Sequence, residues 1–365
     1  MKIAHVVGAR PNFMKVAPVH AAAAARGLHQ TLIHTGQHYD EKMSEIFFDE
    51  LGLPRPDVNL NVGSGTHAVQ TAEVMLRIEP VLSELAPDWL FVYGDVNSTM
   101  AAALVAVKLG IRVAHVEAGL RSGDRTMPEE INRLVTDRLA HLLLTPSSDG
   151  DENLLAEGVS AERIRLVGNV MIDTLVGLLQ NARERWPSLQ AQWNLDRFAL
   201  VTLHRPSNVD DERKLVALLE TLASIARELP VVFPIHPRTR DSIRRAGFDI
   251  PHGMTVVDPL GYLDFLALQE RATVVITDSG GVQEETTFLG IPCLTMRANT
   301  ERPVTVSIGT NTLIGDDLTL LRAQVQAVIE GRGKRGAVPP LWDGHAAERV
   351  IDALLSAPPN PWPNP

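Results

Sequence analysis

The sequence predicts an α/β protein built from two Rossmann-like, doubly wound parallel-sheet domains, and three observations carry that prediction. Short β-rich runs alternate with longer segments of helical period from one end of the chain to the other, as parallel strands joined by crossover helices do. The strand-like runs fall into two series, separated by a polar stretch around Gln180–Asp196 that contains Trp186-Pro187. The 365 residues also exceed what one hydrophobic core usually serves.

The first series comprises Ile3–Val7, Thr31–His34, Trp89–Tyr93, Val113–Val116, Leu142–Leu144 and Ile164–Leu166. The second comprises Ala199–Thr202, Val231–Ile235, Thr255–Val257, Val274–Thr277 and Cys293–Met296. Helical segments between them include Val16–Ala25, Val69–Leu85, Thr99–Lys108, Glu129–Leu139, Leu215–Arg227 and Leu320–Glu330. The predicted division is residues 1–168, 169–345, and 346–365 as a returning helix followed by a Pro-rich end that cannot continue it.

Composition is that of an ordinary globular protein, 45% hydrophobic and 21% charged, with apolar material enough for two buried sheets. Net charge is -10, with 34 Lys plus Arg against 44 Asp plus Glu. That balance argues against nucleic acid, which requires a basic face, and leaves room for a small anionic ligand. Cys293 is the single cysteine; it excludes an intrachain disulfide or a cysteine zinc cluster and reads as a buried structural thiol. The first residues form a strand-like run without a signal pattern, and no run of about 18 apolar residues occurs. The expectation is a soluble, cytoplasmic protein without membrane contact.

In open parallel sheets ligands bind beyond the carboxyl ends of the strands, so the loops there are the informative ones. After the first strand, Gly8-Ala9-Arg10-Pro11-Asn12-Phe13-Met14-Lys15 sets Arg10 and Lys15 at a helix start. Cations work against the helix dipole there unless an anion lies between them; solvated turn charges are the plainer alternative. After Tyr93 come Gly94-Asp95 and Asn97-Ser98-Thr99, which by themselves read as helix caps. The next strand ends in His115-Val116-Glu117-Ala118-Gly119-Leu120-Arg121-Ser122-Gly123-Asp124. Asp95 and Glu117 on neighbouring strands predict a carboxylate pair suited to acid–base work. Glu129 and Glu130 start a helix, where dipole compensation also explains them; pointing about 100° apart, at most one of them faces a ligand.

In the second half, His204 follows a strand in the same position as these charged loops, and His236 and Arg238 repeat the arrangement on the next. The most informative element is Thr277-Asp278-Ser279-Gly280-Gly281-Val282-Gln283-Glu284-Glu285. Two glycines admit a phosphate to backbone N–H groups at a helix start, and a glutamate one turn in reaches ribose hydroxyls. Arg302 supplies a further cation. No dinucleotide fingerprint, Walker A loop, zinc-binding spacing or nucleophile elbow occurs. His34 and His38 stand four apart, with Gly36 between them weakening any helix that would align them.

Together these loops resemble the UDP-N-acetylglucosamine 2-epimerase family, non-hydrolysing bacterial and archaeal type. The matching stretches are GARPNFMKVAP, TGQHYD, GDVNST, HVEAGLRSGD, MPEEINR, GNVMIDT, LHRPSN, TDSGGVQEE, TERP and a degraded DGHAAERV, in order over nearly the whole chain. The resemblance implies a glycosyltransferase-B-like pair of domains facing a cleft, a homodimer, a UDP-sugar substrate and reversible inversion at sugar C2. It implies that Arg10, Lys15, Asp95, Glu117, Glu129 and His204 surround the sugar and diphosphate, with the carboxylates in the first domain. It further implies that Ser279, Gly280, Gly281, Glu285 and Arg302 hold uridine diphosphate in the second domain, with Phe265 against the uracil.

Asn12 stands where the family usually has Glu, and the loops at Thr35–Asp40 and Ile235–Arg238 depart from many bacterial members, so activating-site residues are not carried over. Those loops are closer to the archaeal branch and to epimerases of 2,3-diacetamido sugars. The implied chemistry, elimination of UDP to a 2-acetamidoglucal and re-addition, needs neither a nicotinamide nor a metal. The competing readings are a hydrolysing epimerase, a glycosyltransferase and a non-catalytic nucleotide-sugar sensor.

Overall fold

The computed structural model describes residues 1–36, 48, 50–235 and 237–358, without the side chains of Arg10, Pro237 and Arg238. The chain forms two compact units, Met1–Thr174 together with the stretch from Pro340, and Leu175–Pro339.

The first unit holds strands β1 (Lys2–Val7), β2 (His29–His34), β3 (Val58–Asn59), β4 (Trp89–Tyr93), β5 (Arg112–Val116), β6 (Leu142–Thr145) and β7 (Ile164–Leu166). They form one parallel sheet in the order β3-β2-β1-β4-β5-β6-β7. Its helices are α1 (Arg10–Ala25), α2 (His67–Leu85), α3 (Asn97–Lys108), α4 (Pro128–Leu139) and α5 (Ser148–Ala156). Alternation along the strands explains the two-sided core. Ile3, Val7, Trp89, Phe91 and Tyr93 feed the cluster on one face, while Ala4, Val6, Leu90 and Val92 feed the other.

Helix α6 (Val170–Trp193) carries the chain into the second unit. There β8 (Ala199–Thr202), β9 (Val231–Pro234), β10 (Met254–Val257), β11 (Val274–Thr277), β12 (Cys293–Thr295) and β13 (Asn311–Leu313) make a parallel sheet ordered β10-β9-β8-β11-β12-β13. Helices α7 (Pro206–Val209), α8 (Glu212–Ile225), α9 (Pro237–Arg245), α10 (Tyr262–Arg271), α11 (Gly280–Leu289), α12 (Pro303–Ser307) and α13 (Leu318–Ile329) complete it. Ala199, Val201, Val274 and Ile276 face one core and Leu200 and Val275 the other. Both sheets reverse strand order at their centre, between β1 and β4 and between β8 and β11, and such switch points open the crevices where α/β sheets take ligands.

The expectation of two parallel-sheet α/β domains is met. Cys293 is fully buried in β12, and burial pushes its thiol up to about 11, in keeping with a structural role. The polar stretch between the two strand series, Gln180–Asp196, lies largely inside α6 with Pro187 in its interior. Proline removes one helical hydrogen bond, but Ala182 and Leu189 are buried in the second core and Trp186 stacks on Phe198 at 6.0 Å. Packing outweighs the breaker. The edge strands β3 and β13, two and three residues long, are too short to show a period.

The final helix α14 (Ala346–Leu355) lies on α1 in the first unit, burying Ala346, Val350, Ile351 and Leu354. Arg349 donates to Val167 O at 2.6 Å and Leu341 O at 2.7 Å, and Trp342 Nε1 donates to Pro146 O at 2.9 Å. Asp173 accepts the Ala346 and Ala347 N–H groups at 3.1 and 2.6 Å, capping the helix. Burial nonetheless raises its carboxyl from 3.8 to about 6. The folded state therefore holds a proton that the unfolded chain releases, and Asp173 makes stability fall as pH rises from about 4 to 6. Asp173→Asn keeps an accepting oxygen and removes the titration. Urea unfolding across that window is expected to show a flatter pH slope than wild type; an unchanged slope would exclude Asp173 as its source.

Candidate active site

In the first unit the loop after β1 is shaped by Asn12. Its Oδ1 accepts the N–H groups of Gly8 at 3.1 Å and Ala9 at 3.2 Å, and its Nδ2 donates to Tyr93 O at 2.9 Å. A glutamate carboxylate, which the family usually has here, has no proton to give Tyr93. Thus Asn12 ties the β1 loop to the end of β4. One turn on, Lys15 is buried and forms an ion pair with buried Glu117.

Glu117 has a φ of 71°, a left-handed conformation that non-glycine residues adopt at a cost of about 1–3 kcal/mol when the surroundings impose it. The imposition is visible: its N–H and that of Ala118 both donate to Leu144 O, at 3.0 and 3.1 Å. Gly94 has a φ of 61°, which favours glycine, and it lies close to the lysine, since a Cβ there would stand 2.6 Å from Lys15 Nζ.

Asp95 follows Gly94 and is about a quarter exposed. Its carboxylate pairs with Arg133, among the largest fully buried side chains, and its carbonyl accepts Asn132 Nδ2 at 2.8 Å. Arg133 also donates to Glu130 from Nη2 at 2.7 Å and Nε at 3.1 Å. Glu130 in turn accepts from Ser122 N at 2.9 Å and Gly123 N at 3.0 Å. Burial pushes the Glu130 carboxyl up, but the Ser122 amide and the Arg133 guanidinium hold it below its usual range. A turn further on, Asp137 faces His115 Nδ1 at 2.6 Å and accepts from Gly119 N at 3.1 Å and Arg121 Nη1 at 2.7 Å. His115 Nε2 lies 2.8 Å from Gly94 O, a group that only accepts, so this nitrogen donates. Of the two glutamates opening α4, Glu130 is the buried one and Glu129 is half-buried.

Each carboxylate of the expected pair has a cation beside it. Glu117 is matched by Lys15 and Asp95 by Arg133, because opposed charges at these depths lower the cost of burial and like charges add to it. Lys15 is likewise engaged within the protein.

In the second unit Asp278, fully buried after β11, collects the loop after β8. It accepts His204 N at 3.1 Å, Arg205 N at 2.9 Å and Asn208 Nδ2 at 2.8 Å, and lies 3.0 Å from His204 Nδ1. Burial would raise its carboxyl, yet His204 and Asn208 hold it below the ordinary value. His204 itself is more than half exposed.

Ser279 caps α11, and Gly280 opens it. A Cβ on Gly280 would meet Arg302 Nη1 at 2.6 Å and Glu301 Oε1 at 2.9 Å, so a larger residue would have to displace the ends of that ion pair. Arg302 is buried between Glu284, at 2.9 Å from Nε, and Glu301, at 2.5 Å from Nη1. The cation read from the sequence is thus present and ion-paired with two acids. Glu285, beside it, is buried and accepts the Tyr262 hydroxyl at 2.9 Å. Burial raises its carboxyl to about 7. Phe265, half-buried on α10, packs against the neighbouring core.

The side chain of Arg10, residues 37–47 of the TGQHYD region and beyond, His236 and the side chain of Arg238 lie outside the described residues. Among the described residues no group of three or more His, Cys, Asp or Glu is placed to hold a metal ion, and no helix is long and apolar enough to cross a membrane. Arg133, Asp137, Asp278 and Tyr262 received no role from the sequence. The signal for the first two was present: Glu130, Arg133 and Asp137 recur at helical spacing on one face.

Two doubly wound parallel sheets, each with its polar loops at the carboxyl ends of the central strands, define the glycosyltransferase-B-like class. The family profile of UDP-N-acetylglucosamine 2-epimerase matches residues 20–355. A UDP-N-acetylglucosamine 2-epimerase of Methanocaldococcus jannaschii is 42% identical over 97% of this chain and 99% of its own. Its crystal structure in complex with UDP-GlcNAc and UDP superposes with a TM-score of 0.89, again covering 97% and 99% of the two chains. A UDP-2,3-diacetamido-2,3-dideoxy-D-glucuronate 2-epimerase of Pseudomonas aeruginosa is 44% identical over 86% of this chain and 88% of its own. The chain belongs to the UDP-N-acetylglucosamine 2-epimerase family, a family of isomerases.

Arg133→Met strands Glu130 and Asp95 without their cation and is expected to destabilise the protein by about 3–5 kcal/mol. Arg133→Lys recovers little of this, since one ammonium cannot reproduce the fork. Urea unfolding of both variants checks the expectation; a loss under about 1 kcal/mol for Arg133→Met would show the network to be solvated.

Proposed function

We propose that this chain reversibly inverts C2 of UDP-N-acetylglucosamine, giving UDP-N-acetylmannosamine. The observation that carries the reading is the carboxylate Glu117, buried and left-handed at the end of β5 beside Lys15, in a chain of this family. The C2 proton of the sugar is not adjacent to a carbonyl, so its direct removal is unfavourable. Breaking the C1–O bond first makes C1 oxocarbenium-like and acidifies C2–H. UDP departs with the C1–O electron pair, a carboxylate takes that proton, and the C2–H bond pair forms the C1–C2 double bond of a 2-acetamidoglucal. UDP then returns to C1 as a second group delivers a proton to the opposite face of C2.

In this reading Asp95, Glu117 and Glu129 take and return protons, inversion requiring groups on two faces. Lys15 stands behind Glu117. Arg10, His204 and the Ser279-Gly280-Gly281 helix start stabilise the departing diphosphate, with Arg302 backing the helix start from within its ion pairs. Glu285 meets the ribose and Phe265 the uracil. No nicotinamide or metal enters the scheme.

Proton NMR of the protein with UDP-N-acetylglucosamine in D2O is expected to show the manno epimer carrying deuterium at C2. Asp95→Asn and Glu117→Gln each lower that incorporation by about a hundredfold or more while UDP binding persists. Exchange retained in both variants would remove them from proton transfer. Free UDP and N-acetylmannosamine would indicate a hydrolysing enzyme instead.

The 44% identity to the Pseudomonas aeruginosa enzyme supports a second substrate reading, a UDP-2,3-diacetamido uronate. The same assay on that sugar decides by kcat/KM. The family resemblance and the exposed Val69 and Leu76, two turns apart on α2, support a homodimer. Light scattering is then expected at twice 39.9 kDa, and a mass of one chain would reject it.

A further inference from the structure

Glu285 is an acid whose support lies outside every motif described above. It projects from α11 with its carboxyl group buried, and Oε1 accepts the hydroxyl of Tyr262 at 2.9 Å. The adjacent cation serves another group: Arg302 binds Glu284 and Glu301. Glu285 is therefore held by neutral donors, in agreement with a carboxyl group raised by burial to about 7. Tyr262 opens α10 directly after its cap Gly261, and Phe265 follows three positions on, its N–H donating to Gly261 O at 3.0 Å. Both rings pack on the core cluster that includes Leu266 and Val275. One turn of helix thus carries the aromatic ring proposed for the base and the hydroxyl that fixes the acid proposed for the ribose.

We infer that Tyr262 is a positioning residue for nucleotide recognition, its hydroxyl orienting Glu285 toward the vicinal hydroxyls of a ribose. The inference rests on the proposed assignment of Glu285 to the ribose. A carboxyl group free to rotate about its last torsion loses freedom when it meets two hydroxyls at once; one already anchored at Oε1 loses less. The anchored group also rejects a sugar lacking one hydroxyl, because a buried polar group is then left partly unmatched. Tyr262 accordingly governs discrimination between ribo- and 2′-deoxyribonucleoside diphosphates, beyond overall affinity.

Isothermal titration of the full chain with UDP and with 2′-deoxy-UDP tests this without any turnover. Wild type is expected to bind UDP about tenfold more tightly than 2′-deoxy-UDP. Tyr262→Phe keeps the ring in its packing and removes only the hydroxyl. That variant is expected to lose affinity for UDP while holding 2′-deoxy-UDP within about twofold, so the ratio collapses toward one. Glu285→Gln collapses it alone, and adding Tyr262→Phe to it changes nothing further. This double variant leaves no buried acid without its donor, so the comparison stands even where Tyr262→Phe folds poorly. A wild-type ratio in Tyr262→Phe, or equal loss for both nucleotides, overturns the inference and leaves Glu285 in place. No discrimination by wild type removes Glu285 from the ribose and Tyr262 with it.

Discussion

Three charged side chains on one buried face of α4 are the constraint on which the loops of the first unit depend. Glu130, Arg133 and Asp137 are almost inaccessible, whereas Ile131 on the same helix is more than a third exposed. A surface helix ordinarily buries an apolar stripe; α4 buries a polar one. Each unpaired ion so placed would cost several kcal/mol, so each is paired, and the partners come from loops. Arg133 takes Asp95, Glu130 takes the Ser122 and Gly123 amides, and Asp137 takes Gly119, Arg121 and, through His115, Gly94 O. Neither the loop after β4 nor the loop after β5 can shift without stripping a buried charge of its partner. Such a network contributes less to net stability than to the uniqueness of the arrangement it enforces.

The second unit solves a parallel problem with different parts. Asp278, accepting the amides of His204 and Arg205, locks the loop after β8 against the end of β11. Arg297, Glu301, Arg302 and Glu284 form a buried chain of alternating charge behind the start of α11. Burial would raise the Glu301 carboxyl, but Arg302 and Arg297 hold it far below its usual range. The consequence is electrostatic: Arg302 is balanced by its acids, so the positive character of the start of α11 comes from the helix dipole itself. Gly280 is what permits that chain of charges to lie directly under the helix start.

Much of this was legible in the amino-acid sequence, for identifiable reasons. Runs such as Trp89–Tyr93 and Val274–Thr277 are short, apolar and bounded by turn residues, so the two sheets and the loops after their central strands followed from pattern alone. Gly94, Gly280 and the acids and cations beside them also stood out locally. Partner choice did not, because ion pairing joins positions remote in sequence. Lys15 meets Glu117, and Arg133 meets Asp95, leaving no local trace. Helix α6 was not legible for a related reason: the sequence around Trp186 and Pro187 does not show that Phe198 lies against the indole.

The backbone around Glu117 supplies an argument for its side chain that does not depend on partner residues. Where the chain needs a left-handed or crowded position near this site it uses glycine: Gly94 beneath Lys15, and Gly119, whose Cβ would collide with Gly150 O. Glu117 occupies the same kind of position, at φ 71°, without being glycine. Replacing it by glycine would relieve strain of about 1–3 kcal/mol, and the neighbouring turns show that this fold accommodates glycine readily. Ala86 and Leu341 are left-handed as well, but Glu117 differs from them in carrying a buried charge that is ion-paired with Lys15. With Gly94 close to the lysine at the end of β4 and Glu117 at the end of β5, the ion pair ties the two strand ends together, which is a physical reason for the chain to hold a non-glycine residue in this conformation.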